Sequence, residues 1–161
     1  MPNIAPCLWF DNEAEDAARF YVSIFPNSEL GAIGRYGEEG FEHHRKPAGS
    51  VMMVEFTLDG RPFQALNGGP QFKITEAVSF SISTKDQRET DYYWTALTSG
   101  GGVPSMCGWL KDRFDVSWQV VPKRFVEMMK EGDAAQTSRL MQAVFTMRKV
   151  DIAALEEAYA G

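Results

Sequence analysis

The chain has 161 residues, of which 44% are hydrophobic and 24% are charged, so one compact folded domain is the expected organisation. A net charge of −6, with 16 scattered Lys and Arg side chains, argues against the basic surface that nucleic-acid binding requires. The sequence has no long apolar run and no signal-peptide pattern, so we expect a cytoplasmic protein that does not bind membranes.

The first half of the chain predicts one strand, one helix and three further strands. Residues 4–10 read as an apolar strand. Asn12 and Glu15 have the spacing of a capping box, so a helix is expected near residues 13–25. Further strands are predicted at 28–36, 50–58 and 61–67. Asp59-Gly60 between the last two is a strong hairpin signal.

The same order repeats after about 70 residues, which indicates two similar units. A strand is predicted at 77–84, and Asp86 and Glu89 repeat the cap spacing before a helix near 87–99. Strands at 103–106, 108–111 and 116–121 follow, and then helices at 123–130, 134–147 and 152–159. The predicted fold is α+β: a single domain, 1–161, with βαβββ modules at 1–70 and 75–121 and a helical appendage at 122–161. The last helix could instead dock on a partner subunit.

Strand alternation separates the residues that face a helix from those on the opposite face of each sheet. Met52, Val54, Phe56 and Leu58 are expected to pack inward, as are Val78, Phe80 and Ile82, and Val116, Trp118 and Val120. The candidates for ligand binding on the opposite face are Cys7, Trp9, Gln64, Ser79, Ser81, Trp109, Ser117 and Gln119, together with Glu55. Aromatic lining is also expected from Trp118, Phe63 and Phe72.

Long segments of the chain resemble one known family. They are PCLWFDNEAEDAARFYVSIFPNS, VEFTLDGRPFQALNGGP, GWLKDRFDVSWQVVP and MRKVDIAALEEAYAG, and they occur in the family's order. They resemble the PhnB-like, 3-demethylubiquinone-9 3-methyltransferase-like family of the vicinal-oxygen-chelate superfamily, which includes glyoxalases, bleomycin-resistance proteins and dihydroxybiphenyl dioxygenases. The resemblance implies two βαβββ modules whose mixed sheets form a cupped half-barrel, usually completed in a homodimer.

The methyltransferase label is not supported by a motif for S-adenosylmethionine. Such a motif places a glycine-rich turn between a strand and a helix. Asn67-Gly68-Gly69-Pro70 leads into no predicted helix, and Ser99-Gly100-Gly101-Gly102 follows a helix instead of preceding one. Both read as ordinary turns, so we expect no such cofactor.

The resemblance also predicts where a metal would bind, and the residues present there do not favour one. Metal-dependent superfamily members use four cup-facing side chains, and the matching positions are Ala5, Gln64, Ser79 and Gln119. Alanine cannot ligate, and neutral amide and hydroxyl groups hold a divalent ion weakly. We therefore expect no metal. The only two histidines, His43 and His44, are expected in a solvated extended loop, with metal binding or a mobile base as alternatives.

Three functions remain open at this point. The first is binding of an unidentified small molecule in the cup without chemistry. The second is a metal-independent enzyme that acts on a small carbonyl or quinone-like compound, with Glu55 as general base if it is partly buried. The third is a structural or regulatory dimer. Cys7 paired with a histidine as nucleophile and base has no support in the spacing.

A homodimer is also expected from the apolar surface of the predicted C-terminal helices. Unprotected sheet edges need cover, and this surface exceeds what a small sheet edge requires. The residues concerned are Phe125, Met128, Met129, Leu140, Met141, Val144 and Phe145.

Overall fold

The computed structural model describes residues 4–161, and the chain divides into two compact units, Met1–Ile74 and Thr75–Gly161. Each unit holds one open four-stranded mixed sheet and follows the order strand, helix, strand, strand, strand, with one short additional helix between the second and third strands of the first unit. The predicted α+β class, with two similar modules and C-terminal helices, is confirmed. Residues 1–3 of the predicted first module lie outside the described residues. No helix within 4–161 is long and apolar enough to cross a membrane.

The first unit contains six elements. They are β1 (Cys7–Phe10), α1 (Ala14–Ile24), β2 (Glu29–Arg35), α2 (Phe41–His44), β3 (Val51–Leu58) and β4 (Arg61–Asn67). The strand order is β1-β4-β3-β2, with β1 parallel to β4 and the other two pairs antiparallel. The predicted hairpin at Asp59-Gly60 joins β3 to β4. Both residues have positive φ, 49° and 71°, as a two-residue hairpin turn of this kind requires.

Helix α1 packs on its sheet through small side chains. Ala14, Ala17 and Ala18 are completely buried, so the helix backbone can lie close to β3. Tyr21 stacks on Phe56, with 6.3 Å between the ring centroids. The alternation predicted for β3 is confirmed, because its inward residues Val54, Phe56 and Leu58 are all buried.

The capping box predicted at Asn12 is wrong. Helix α1 begins at Ala14, and its N-cap residue Glu13 makes no side-chain cap. The backbone N–H of Ala14 donates instead to Oδ1 of Asn67, 2.8 Å away and 53 residues later in the chain. Asn12 accepts a 2.7 Å hydrogen bond from Nζ of the buried Lys46. The local spacing failed because a distant strand end supplies the cap, which no short-range pattern reveals.

The second unit repeats the topology and adds three helices. Its elements are β5 (Ser79–Thr84), α3 (Gln87–Thr98), β6 (Val103–Pro104), β7 (Trp109–Lys111), β8 (Ser117–Pro122), α4 (Lys123–Glu131), α5 (Ala134–Val144) and α6 (Ile152–Ala160). The order β5-β8-β7-β6 matches that of the first sheet, with β5 parallel to β8. Asp86 caps α3 as predicted, by accepting from the Glu89 backbone N–H at 2.8 Å. Val78 precedes β5 and is 66% exposed, so its predicted burial is wrong.

A buried carboxylate holds the turn between β7 and β8. Oδ1 of Asp112 accepts the backbone N–H groups of Phe114, at 2.7 Å, and Val116, at 3.1 Å. Its Oδ2 accepts Nε1–H of Trp118 at 2.8 Å. These bonds offset the cost of burying the charge. Trp118 is a core residue, only 3% exposed, so the expectation that it lines a ligand pocket is wrong.

The three C-terminal helices share an apolar cluster of their own. Its buried members are Met128, Leu140, Val144, Val150 and Leu155, and Phe125, Met129 and Met141 pack against them. Of the seven residues from which a partner surface was predicted, only Phe145, 61% exposed, is left at the surface. The expectation that these helices leave apolar surface for a partner is therefore wrong. The dimer itself stays a prediction.

Candidate functional site

Most of the predicted ligand-binding residues lie on the face of each sheet opposite its long helix. The first open face consists of Cys7, Trp9, Met53, Glu55, Gln64 and Leu66. The second open face consists of Ser79, Ser81, Trp109, Lys111, Ser117 and Gln119. Successive side chains of a strand point to opposite faces, and strand pairing then sets which of them are neighbours.

On the first open face, three predicted residues are brought into one row. Cys7 pairs with Gln64 across β1 and β4, and Gln64 pairs with Glu55 across β4 and β3. Directly opposed side chains of this kind have Cβ atoms about 5 Å apart. A small ligand could therefore contact the thiol, the amide and the carboxylate together.

A cavity of about 410 Å³ is lined by Gln64 and Glu55 of this row, whereas Cys7 is not part of its lining. This volume falls in the range of small-molecule sites, which is roughly 300–1,000 Å³. Glu29 and Glu55 supply two carboxylates and Gln64 an amide, and none of the described lining residues is cationic. The full lining is Ala5, Glu29, Gly31, Glu55, Phe56, Thr57, Pro62, Phe63 and Gln64. Phe63 belongs to this lining, but its ring stacks on the buried Phe56 with 5.5 Å between centroids, so its contact with a ligand stays a prediction.

Close approach of β2 to β3 shapes the cavity wall at Gly31. A Cβ atom added there would lie 3.0 Å from the carbonyl oxygen of Glu55, which is tighter than an ordinary contact. The pairing of β2 with β3 is irregular between Leu30 and Ile33, so Gly31 lies in a bulge. The glycine lets this bulge run against Glu55.

The surroundings of Glu55 and Cys7 do not favour a reactive role for either side chain. The role of Glu55 as a general base was predicted on the condition that its side chain is partly buried. Glu55 is exposed, so this condition is not met. Desolvation raises the pKa of the Cys7 thiol, which lowers the fraction of reactive thiolate at neutral pH. Both side chains can contact a ligand without reacting with it.

Trp9 lies at one end of the first open face and packs against the glycine pair Gly68-Gly69. Its Nε1–H donates to the carbonyl oxygen of Gly69 at 2.9 Å, and its ring meets the edge of Phe72 at 4.9 Å between centroids. A Cβ atom at Gly68 would overlap the indole ring. These glycines therefore pack against Trp9. The other glycine run, at 100–102, follows α3, so neither run opens a helix within the described residues.

The second open face presents hydroxyl and amino groups in a row. Ser79 pairs with Ser117 across β5 and β8, and Ser117 pairs with Lys111 across β8 and β7. Nε2 of Gln119 donates to the hydroxyl of Ser79 at 2.9 Å. The hydroxyl of Ser117 is buried and has no hydrogen-bond partner among the described residues.

The charge of Lys111 is balanced by a flanking carboxylate. Nζ of Lys111 lies 2.6 Å from Oε1 of Glu76, which precedes β5. This hydrogen bond lowers the pKa of the Glu76 carboxyl below its ordinary 4.5 and raises that of Lys111 above 10.5. Glu76 is exposed, so solvent screens the pair and its contribution to stability is small.

The donors available in the second unit do not fit a divalent metal. Gln119 uses its amide nitrogen on the Ser79 hydroxyl, and both groups are neutral. Within residues 4–161, no three His, Cys, Asp or Glu side chains lie close enough together to hold a metal ion. The expectation that no metal binds stays a prediction.

The histidines lie in a short helix, so the extended loop predicted for them is wrong. Nδ1 of His44 accepts the backbone N–H of Lys46 at 2.9 Å, and its Nε2 therefore donates to the carbonyl oxygen of Glu39 at 3.0 Å. The His44 ring also packs on Tyr36, with 4.4 Å between centroids. Both ring nitrogens are used in the fold, so His44 is a structural residue. His43 is exposed beside Glu42.

Sequence reasoning missed four residues: Glu29 and Gly31 of the cavity lining, Lys111 of the second open face, and Glu76, which pairs with Lys111. Extending the alternation argument to β2 and β7 would have found Glu29 and Lys111. The bulge at Gly31 and the ion pair of Glu76 have no local signal, because each depends on a neighbouring strand.

Comparison with known proteins agrees with this architecture. The family described as 3-demethylubiquinone-9 3-methyltransferase matches residues 2–121. A Bacillus cereus structure, named as a PhnB protein and a candidate 3-demethylubiquinone-9 3-methyltransferase, is 31% identical. It has a TM-score of 0.66, and the match covers 75% of this chain and 99% of that one.

A second solved structure supports the fold alone. It is a Pseudomonas aeruginosa protein that is 22% identical, with a TM-score of 0.59, and the match covers 76% of this chain and 98% of that one. No curated protein matches the chain. The family match over residues 2–121 and the 31% identity to the B. cereus protein lead to one conclusion. The chain belongs to the PhnB-like family described as 3-demethylubiquinone-9 3-methyltransferase.

Proposed function

We propose that this PhnB-like protein binds a small molecule in the cavity of its first open face and does so without a metal. The observation that carries the proposal is the cavity of about 410 Å³ that is lined by Gln64 and Glu55 of the row. Such a space, with a few convergent polar groups, is typical of ligand sites. The vicinal-oxygen-chelate resemblance supports the same location, since that superfamily uses its sheet face for ligands.

The lining favours a ligand that donates hydrogen bonds. Glu29 and Glu55 can only accept when they are ionised, and Gln64 can both accept and donate. Pro62, which pairs with Thr57 on the same face, supplies apolar surface beside these polar groups. The name of the family does not extend to an S-adenosylmethionine site here, because neither glycine run of the described chain opens a helix.

Native mass spectrometry of the purified protein is the first test, because it detects a co-purified ligand without a prior choice of compound. The ligand should then bind stoichiometrically in titration calorimetry. Gln64→Leu should weaken binding at least about tenfold, since a hydrogen bond is replaced by an unpaired ligand group. Gln142→Leu, at an exposed position of α5, is the matched control and should bind like wild type. Equal affinity for both variants would contradict the proposed location.

A metal-independent enzyme is the alternative, and the place of Glu55 in the cavity lining favours it. In this alternative Glu55 removes a proton from a small carbonyl or quinone-like compound, which Gln64 orients. Glu55→Gln should then abolish turnover and retain binding, while Glu38→Gln, in an exposed loop, should leave turnover unchanged. Stoichiometric binding without turnover in the wild type selects the binding protein instead.

We also propose a homodimer, as the superfamily resemblance implies. The resemblance is the only support for it, because the C-terminal helices bury most of their apolar side chains in their own cluster. Sedimentation at micromolar concentration should show twice the chain mass of 18.0 kDa. A species that stays at the mass of one chain on concentration would refute the dimer and leave the cavity proposal standing.

A further inference from the structure

The second unit contains a buried hydroxyl group, that of Ser117, without a hydrogen-bond partner among the described residues. Ser117 is 1% exposed. A buried hydroxyl without a partner is costly, and native structures keep few of them. An acceptor that arrives from outside the chain would remove this cost.

The two neighbours of Ser117 in the sheet are also donors. The hydroxyl of Ser79 accepts its hydrogen bond from Gln119, so its own proton is available to donate. The ammonium group of Lys111 uses one of its three protons on Glu76, 2.6 Å away. Ser79, Ser117 and Lys111 follow one another across β5, β8 and β7 on the same face. Three adjacent donors and a positive charge call for an anionic acceptor.

Glu76 already shows that a carboxylate binds to Lys111, one member of this row. Its carboxylate lies on Lys111 from a segment that precedes β5, and its side chain is 63% exposed. The lowered pKa of this carboxyl is consistent with a favourable contact for an anion at that point. Because Glu76 is exposed and screened by solvent, a ligand can displace it at small cost.

We propose that Ser79, Ser117 and Lys111 bind the oxyanion of a small ligand, a carboxylate or a phosphate, which replaces the carboxylate of Glu76 on Lys111. Trp109 stands in the next row of the same face, opposite Gln119, and is half-buried. Its ring gives the carbon skeleton of the ligand an aromatic surface to contact. This site lies in the second unit and goes beyond the proposed cavity of the first.

The test uses benzoate and phenyl phosphate as probes and benzamide as the neutral analogue, with binding measured on the full chain by NMR shift titration. At least one anion should bind at millimolar concentration and shift the backbone signals of Ser117 and Lys111, and benzamide should bind at least about tenfold more weakly. Binding of benzoate alone identifies a carboxylate site, and binding of phenyl phosphate alone identifies a phosphate site. Failure of both anions, or equal binding of benzamide, overturns the proposal.

Variants with matched controls locate the site. Lys111→Met should weaken binding of the anion roughly tenfold, because a charge-assisted bond is lost. Lys149→Met is the control, since Lys149 forms a 2.6 Å ion pair with Asp91 elsewhere in the same unit. Glu76→Gln should tighten binding about threefold by removing the internal competitor, whereas Asp91→Asn should not change it. Equal effects of the two lysine variants would overturn the proposal.

The outcome separates this site from the cavity of the first unit. Gln64→Leu should leave benzoate and phenyl phosphate binding unchanged, because Gln64 belongs to the first open face. Ser117→Ala should weaken binding about fivefold while the protein stays folded, since it removes only a hydroxyl. Loss of oxyanion binding in Gln64→Leu, with no effect of Ser117→Ala, would reject the second site and favour the first.

Discussion

The two units share a strand order, yet their open faces carry different chemistry. The first open face has carboxylates beside a cavity, whereas the second has an ammonium group and hydroxyls in a row. The units also stabilise their sheets differently. In the first, the amide of Asn67 joins a strand end to α1, and in the second the carboxylate of Asp112 holds a turn. A repeated βαβββ plan therefore preserves the backbone and leaves the polar residues free to differ.

The largest effect on stability is expected at Asp112, because its buried side chain accepts more hydrogen bonds than the side chain of Asn67 makes. Asp112→Ala removes bonds to two backbone N–H groups and to the indole of Trp118. The free energy of unfolding should fall by about 3 kcal/mol, measured by urea denaturation.

Asp112→Asn is the conservative control for this prediction. It keeps one oxygen for the backbone bonds and places an NH₂ group or weaker acceptor toward Trp118, so its loss should be smaller than that of Asp112→Ala. Equal losses for the two variants would show that retained shape does not help and that both carboxylate oxygens are needed as acceptors.

In the first unit, Asn67 should have the stabilising role that Asp112 has in the second. Its side chain accepts from Ala14 N–H at 2.8 Å and donates to the carbonyl oxygen of Val51 at 3.1 Å. Asn67→Ala should lower the free energy of unfolding by about 2 kcal/mol, as expected for a lost cap and one further buried bond. Asn12→Ala should cost less, because Lys46 retains its bonds to Asp11. A larger loss at Asn12 would restore Asn12 as the residue that starts the helix.

A smaller effect of opposite sign is expected at Ser117. Ser117→Ala removes a buried hydroxyl without a partner, so the free energy of unfolding should rise by about 1 kcal/mol. Thr90→Val is the matched contrast, because the Thr90 hydroxyl bonds to Thr84 at 2.7 Å and to the carbonyl oxygen of Asp86 at 2.9 Å. That variant should be destabilised by about 1 kcal/mol. Destabilisation of Ser117→Ala would mean that its hydroxyl has a partner in solution.

The smallest effect concerns the ion pair of Glu76 and Lys111. The pKa of Glu76 is lowered in the folded chain by its hydrogen bond from Lys111. Its stabilising contribution is therefore present above the unfolded pKa and is lost as the pH falls through the lower folded value. NMR titration of the Glu76 carboxyl should show a midpoint below 4.5 that moves up in Lys111→Met. An unchanged midpoint would mean that the pair does not persist in solution.

Much of the backbone plan was predictable from local patterns. The helix predicted near 13–25 is observed at Ala14–Ile24, and the one near 87–99 at Gln87–Thr98. The burial of Val54, Phe56 and Leu58 followed from alternation, because a strand with one covered face must alternate. The same rule placed Cys7, Glu55 and Gln64 on one side of their strands, and the strand pairing makes them neighbours.

Tertiary structure alone decided which polar groups meet. Asn67 caps a helix that begins 53 residues earlier, and Glu76 reaches Lys111 from the segment before β5. Trp118 is buried, as its place in the strand alternation predicted, and only the folded chain shows that Asp112 accepts its indole N–H. Periodicity in a sequence reports the face on which a residue lies, since it arises from the geometry of one element. Hydrogen bonds and ion pairs between elements depend on how those elements pack, and only the folded chain specifies that.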